Sequence, residues 1–488
     1  MTGTYLGIDV GTSGVKAVLI DETGALLAEA TASLDVSRPA PGWSEQDPAQ
    51  WWRATLEVVD GIAKSNPEAL SRARSLGLSG QMHGATLLGK DGGVLRPCML
   101  WNDGRSMAEC AEFEATCPTS RELCGNIAMP GFTAPKVLWV KNHEPEVFAK
   151  LDKVLLPKAY VRYMLSGEMI EDMSDASGTL WLNVQKRDWS DELLAATGLS
   201  RANMPALAEG SAPAGLLKKE LRQRWGIAGA VVIAGGGGDN AASACGIGAI
   251  RPGEGFVSLG TSGVLFVSNE KFRPNTEGAV HAFCHAIPDT WHQMGVVLAA
   301  ADALNWLART VGRNAVELSR TAEAQFKGPA EEIFLPYLGG ERTPHNSATA
   351  RGSFVGLSHL TDPARLAQAV MEGVALAFRD CGRVLADAGT RIDRLIAVGG
   401  GSNSALWLRM IATNLDMEIQ VPHDGDFGGA FGAARLGLCA AEGADPRDVM
   451  TMPRIKTVVQ PDTSLSAAYA EHYARYRALY PAIEEARK

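Results

Sequence analysis

Leu6-Gly7-Ile8-Asp9-Val10-Gly11-Thr12-Ser13-Gly14-Val15-Lys16-Ala17-Val18-Leu19-Ile20-Asp21 is the stretch on which the fold turns. Two β-rich runs flank a Gly/Thr/Ser turn. The same pentapeptide returns as Gly260-Thr261-Ser262-Gly263-Val264, again between β-rich runs. A glycine turn between paired strands presents backbone N–H groups to an anion, and the hydroxyls of Thr12, Ser13 and Thr261 add donors. The copies differ just ahead of the turn, where Asp9 precedes the first and Ser258 the second. Only the first copy therefore offers a carboxylate to a metal ion.

Outward from this turn, residues 1 to about 35 read as a β-meander, and hairpins at a chain start argue against a Rossmann domain. Asp47-Pro48 predicts a helix start, with Trp51, Trp52, Leu56 and Val59 on one face. Ser75-Leu76-Gly77-Leu78-Ser79-Gly80 reads as a strand running into the loop Gln81-Met82-His83-Gly84. Val231-Val232-Ile233-Ala234 reads as a buried strand entering Gly235-Gly236-Gly237-Gly238-Asp239-Asn240. Arg251-Pro252-Gly253-Glu254-Gly255 marks the boundary between a domain of residues 1–250 and one of residues 251–488. In the second half, Thr361-Asp362-Pro363 opens a long amphipathic helix, and Leu395-Ile396-Ala397-Val398 feeds Gly399-Gly400-Gly401-Ser402-Asn403. This order predicts an α/β fold of two actin-like (RNase H-like) domains facing across a nucleotide cleft.

Bulk properties agree. The chain has 488 residues, 46% of them hydrophobic and 21% charged, with 53 glycines, which fits a glycine-rich α/β enzyme. A formal net charge of −9 argues against nucleic acid or an anionic membrane as partner. Cys110, Cys117 and Cys124 recur every seven residues, but no fourth ligand completes a zinc site, so ordinary reduced thiols are expected. The start carries no basic, apolar secretory signal, and no apolar run is long enough to span a bilayer. The cytoplasm is the expected compartment.

Several constellations can carry chemistry. A phosphoryl transfer needs a divalent cation on the β- and γ-phosphates and a carboxylate to hold it, a role open to Asp9. The plainer reading is a hairpin whose Asp caps its own turn. Asp239, at the mouth of a buried strand, is placed to take the proton of an attacking hydroxyl, or equally to cap a helix. In the loops Gln81-Met82-His83-Gly84 and Leu100-Trp101-Asn102-Asp103-Gly104-Arg105, polar side chains can hydrogen-bond a polyhydroxylated substrate, with Trp101 as an apolar wall. Gly399-Gly400-Gly401 with Asn403 can bed a nucleotide's base or ribose, or merely allow close strand–helix packing. Trp306 could cover an adenine, although a core role suits it better. Gly84-Ala85-Thr86-Leu87-Leu88-Gly89-Lys90-Asp91 matches a P-loop spacing but has Asp91 where a magnesium-binding Ser/Thr is required, and it reads as a hairpin turn.

Together these segments resemble the FGGY family of carbohydrate kinases along nearly the whole chain. The likeness also rests on Pro130-Gly131-Phe132-Thr133-Ala134-Pro135-Lys136 and Pro336-Tyr337-Leu338-Gly339-Gly340-Glu341-Arg342-Thr343-Pro344-His345. The resemblance implies ATP-dependent phosphorylation of D-xylulose to D-xylulose 5-phosphate, with ATP and Mg2+. It implies Asp239 as catalytic base, Met82, His83 and Asn240 at the sugar with Asp103 as a further candidate, and Asp9 at the metal. Gly11, Thr12, Ser13, Gly260 and Thr261 would serve the phosphates, with Lys16 added by proximity, and Gly400, Gly401 and Asn403 the adenosine. Arg365, at a helix start, departs from the acidic or amide residue that relatives often carry. A homodimer is a candidate assembly that the sequence leaves open. Two alternatives also stay open: L-ribulose, L-fuculose, a pentitol or glycerol as substrate, and an actin- or Hsp70-like nucleotide switch.

Overall fold

The computed structural model describes residues 3–423 and 428–487. Its frame is two seven-stranded sheets with the same plan. In the first, β1 (Thr4–Val10) pairs antiparallel with β2 (Gly14–Asp21), which pairs with β3 (Leu26–Ser33). On its other side β1 runs parallel to β4 (Ala73–Gly80), and β4 to β5 (Val232–Ala234). The second sheet repeats this. β6 (Glu254–Leu259) pairs antiparallel with β7 (Gly263–Asn269), which pairs with β8 (Trp291–Val297), while β9 (Arg394–Val398) lies parallel on the far side of β6. Both turns read from the sequence, 11–14 and 260–263, thus join the first two strands of a sheet. The duplication is one of architecture as well as of residues.

Local signals place the helices. Asp47 accepts from the Ala49 N–H at 2.9 Å and Pro48 opens the helix Pro48–Ser65. Its buried face is Trp51, Thr55, Val58, Val59 and Ile62, and the expected Trp52 and Leu56 stand at the edge of that face. Asp362 caps the helix Pro363–Asp387 through the Arg365 N–H. Arg365 itself bridges the carboxylates of Glu331 and Glu332.

One helix crosses the sequence division at residue 250. Gly429–Glu442 packs on the first sheet, against β1 and β4, although it lies late in the chain. The contact is backbone to backbone, and glycines make it possible: a Cβ on Gly7 would stand 1.9 Å from the Ala430 carbonyl oxygen, and one on Gly77 1.8 Å from that of Ala433. Residues 251–488 therefore supply a layer of the first domain as well as the whole second sheet. The long segment between β4 and β5 forms a further apolar cluster that joins Met82, Phe132 and Trp181 to Phe283 and Met294 from the second half.

Candidate active site

Sheet register assembles the centre. Asp9 on β1 is level with Ser79 on β4, and Ser79 with Gly237, so these three residues form one row at the carboxyl ends of parallel strands. The next row is Val10, Gly80 and Gly238. Beyond it the chain turns away at Gly11, Gln81 and Asp239, the position where open α/β sheets bind ligands. Ser79 Oγ donates to Asp9 Oδ1 at 2.7 Å. The helix Gly429–Glu442 begins beside the same carboxylate, since a Cβ on Gly429 would stand 2.9 Å from Asp9 Oδ1. A helix N-terminus there adds positive potential for an anion. Thr12 Oγ1 donates to Gln81 Oε1 and accepts from Trp101 Nε1 at 3.0 Å.

Asp239 opens the helix Asp239–Ile247, with Gly238 in the capping place, so the helix-cap reading does not describe it. Its Oδ1 accepts from the backbone and side-chain nitrogens of Asn240 at 2.7 and 2.9 Å. Desolvation, and then the negative charge of Asp9, push the Asp239 carboxyl up to about 6. A carboxylate tuned to that value is poised to exchange a proton near neutral pH.

The glycine run ahead of Asp239 has no side chains with which to anchor itself, and buried polar groups hold it from behind. Arg162 donates to the carbonyls of Ala234 and Gly235, and the Gly238 N–H donates to Ser174 Oγ at 3.0 Å. Ser174 donates to Asp172, and Lys158 bridges Glu171, Asp172 and Asp175. The three carboxylates have metal-like spacing, but the Lys158 ammonium supplies their cation.

A cavity of about 160 Å3 has Asp239 and Asn240 in its wall, with Met82, His83, Trp101 and Phe132. That is below the range of drug-sized pockets and suits a small metabolite. His83 has φ +70°, a strained value for a residue with a side chain. Its carbonyl is held by Thr133 Oγ1 and Lys136 Nζ, each at 3.1 Å. Its Nδ1 lies 2.7 Å from the Gly178 carbonyl, so Nδ1 carries the proton and Nε2 is left as an acceptor. Burial pulls His83 down to about 3, keeping it neutral. Asp103, expected at the sugar, lines no part of this cavity. Its carboxylate is buried and accepts from the Ser44 N–H at 2.6 Å and from the Arg105 backbone, Nε and Nη2 at 3.0, 2.9 and 2.7 Å. Arg105 in turn stacks on Trp43. A desolvated carboxylate needs its lone pairs filled, and here protein donors fill them all.

A second cavity, of about 520 Å3, is walled by Gly260, Thr261, Gly400, Gly401 and Asn403, and its size suits a nucleotide. The 260–263 turn separates the two cavities, with Thr261 facing the larger and Ser262 the smaller. The glycines divide their labour. Gly399 (φ +88°) and Gly401 let their loop lie against Leu259, where a Cβ would meet backbone or side chain at 2.8–2.9 Å. A Cβ on Gly400 would meet no protein atom within 4 Å. Gly400→Ala is therefore expected to leave the melting temperature near that of the parent while raising KM for ATP several-fold. A raised melting point with unchanged KM would contradict the placement. Trp306 stacks on Phe334 and Phe354 and is absent from the cavity wall. Gly11, Thr12, Ser13 and Lys16 line neither cavity; Lys16, level with Asp9, reaches Glu29 at 3.2 Å.

Sequence reasoning missed part of both walls. In the smaller cavity these include His281, Met294 and Arg342, and in the larger Val316, Ser319 and Trp407. Arg342 lies within a segment quoted for its family likeness, but nothing in its spacing assigns it to the cavity.

Comparison with known proteins agrees with this architecture. Residues 4–246 match the family model for the N-terminal domain of the FGGY family of carbohydrate kinases, and residues 255–441 that for its C-terminal domain. The chain is 48% identical over 479 residues to a xylulose kinase of Escherichia coli (strain K12), covering 98% of each. It superimposes on the crystal structure of a xyloylose kinase from Brucella ovis with a TM-score of 0.97, at 55% identity and 99% coverage of both chains. A xylulose kinase from Rhodospirillum rubrum follows at 0.91 and 28%, again over 99% of both. With both halves matched in order and the whole length shared with these relatives, the chain belongs to the FGGY family of carbohydrate kinases.

Proposed function

We propose that this carbohydrate kinase transfers the γ-phosphoryl group of ATP to the 5-hydroxyl of D-xylulose. One observation carries the reading: a small cavity with Asp239 in its wall and a nucleotide-sized cavity share a single hydroxyl-bearing turn as their partition. The names of the similar proteins point to the same sugar.

In this mechanism Asp239 takes the proton of the 5-hydroxyl as that oxygen forms its bond to the γ-phosphorus and the bond to the β-phosphate oxygen breaks. ADP leaves, and Asp239 passes its proton to solvent. Met82, His83 and Asn240 orient the sugar; His83 Nε2 accepts from a hydroxyl. The backbone N–H groups and hydroxyls of the two turns hold phosphate oxygens, and positioning with charge stabilisation supplies most of the acceleration. The carboxylates of Asp9 and Asp239 repel each other, an arrangement that fits a divalent cation. Magnesium, held through Asp9 and the phosphates, would neutralise the charge on the β- and γ-groups. The sugar-sized cavity favours a kinase over a nucleotide switch that works by moving partners.

We place the protein in the cytoplasm: all eight cysteines are buried and free of disulfides, and no described helix is long and apolar enough to cross a membrane. Coupled ADP detection across pentuloses, pentitols and glycerol tests the substrate. D-Xylulose should give the highest kcat/KM, and a clear preference for a polyol or for glycerol would refute the assignment.

A further inference from the structure

Arg342 is a cation without a paired anion in the wall of the sugar cavity. Among the described residues no carboxylate lies within 4 Å of its guanidinium. Its neighbour Glu341 acts on it without pairing: burial pushes that carboxyl up to about 8, and its Oε1 accepts the backbone N–H groups of Leu298 and Arg342. One contact aims the side chain. Arg342 Nη1 lies 3.3 Å from His281 Nε2, and His281 Nδ1 lies 3.2 Å from Asn126 Oδ1. Asn126 uses its amide nitrogen on the carbonyls of Cys124 and Ala282 and accepts the Ala282 N–H at its oxygen, so that oxygen is an acceptor. The proton of His281 therefore sits on Nδ1, and Nε2 receives Arg342. This relay spends one of the five guanidinium donors.

Arg342 is half-buried, and its remaining donors are open to oxygen acceptors that a ligand brings into the cavity. The position of Arg342 says which part of a ligand it meets. Arg342 meets His281 and comes near Gly131 in the wall, whereas the neighbours of Asp239 are Asn240 and, over Gly238, Met82. Arg342 thus serves the end of the cavity away from Asp239, and with it away from the transferred phosphoryl group. If the 5-hydroxyl lies at Asp239, the far end of a five-carbon sugar carries the C2 carbonyl and C1 hydroxyl.

We propose that Arg342 is a specificity-determining residue that donates to the C2 carbonyl and C1 hydroxyl of a 2-ketopentose, separating ketoses from pentitols of the same length. The inference rests on the reading of function above. A guanidinium only donates, so it suits a carbonyl oxygen, which only accepts, better than a pentitol hydroxyl, whose own proton finds no acceptor on Arg342.

The test compares kcat/KM for D-xylulose and for xylitol in the parent protein, Arg342→Met and Arg342→Lys, with KM for ATP measured alongside. Arg342→Met should lose on the order of 10²-fold on D-xylulose and only a few-fold on xylitol, collapsing the ratio between them. Arg342→Lys, which keeps the charge and three N–H donors on a single nitrogen, should recover part of the ratio and carries the test should the Met variant fail to fold. An unchanged ketose-to-pentitol ratio overturns the inference alone, as does an equal loss on both substrates or a loss confined to KM for ATP, which would assign Arg342 to phosphate. A parent protein that turns over no pentulose sinks the functional reading first and this inference with it.

Discussion

Asp239→Asn is expected to lower kcat by about 10²–10⁴ while leaving the binding of ATP and sugar nearly intact, the loss typical of a removed general base. Asparagine keeps the shape and the contact to Asn240 but cannot accept a proton. The pH profile gives the sharper reading. In the parent, kcat/KM should rise with pH through about 6, where Asp239 sheds its proton, and flatten above it. The direction follows from the role: only the ionised form is a base, so activity falls as acid protonates it. The Asn variant should lack that limb. Asp9→Asn removes the charge that helps hold Asp239 up, so any residual activity should show the limb displaced toward lower pH. An Asp239→Asn protein with the parental rate and profile would end the mechanism.

Gly77→Ala should produce the largest loss of stability for the smallest chemical change. Its Cβ would stand 1.8 Å from the Ala433 carbonyl oxygen and 2.5 Å from the carbonyl carbon, and a backbone group inside a helix cannot rotate away. The helix Gly429–Glu442 must lift from the sheet or the strand must bend, at a cost at or above the upper end of the ~1–3 kcal/mol typical of overpacked cores. Because the same helix begins beside Asp9, activity should fall with stability. Denaturant unfolding of the variant beside Gly400→Ala, which adds the same methyl into open space, separates steric cost from the loss of a glycine. Equal midpoints for the two would contradict the packing described.

Much of the fold was legible before any coordinates. The two Gly-Thr-Ser-Gly-Val turns predicted a duplicated hairpin because glycine turns and β-rich flanks are local signals, and both lie between the first two strands of their sheets. Asp47-Pro48 and Asp362-Pro363 started helices because capping is decided within a few residues. The long helical return of Gly429–Glu442 to the first sheet was not legible, since its partners, Gly7 and Gly77, lie hundreds of residues earlier and signal only by lacking side chains.

The site divides along the same line. From residue types and spacing alone came two glycine–hydroxyl turns between paired strands, a carboxylate before the first, and a second carboxylate after a glycine run. Only the folded chain decided what each polar residue does with its lone pairs and charge. Asp103 became the counter-ion of Arg105 because the Ser44 amide and the guanidinium fill its acceptor sites, while Arg342, which the sequence did not single out, came to line the cavity with one donor on His281. Desolvation and pairing are through-space quantities, set by neighbours that the order of residues does not name, and they separate a structural ion from a working one.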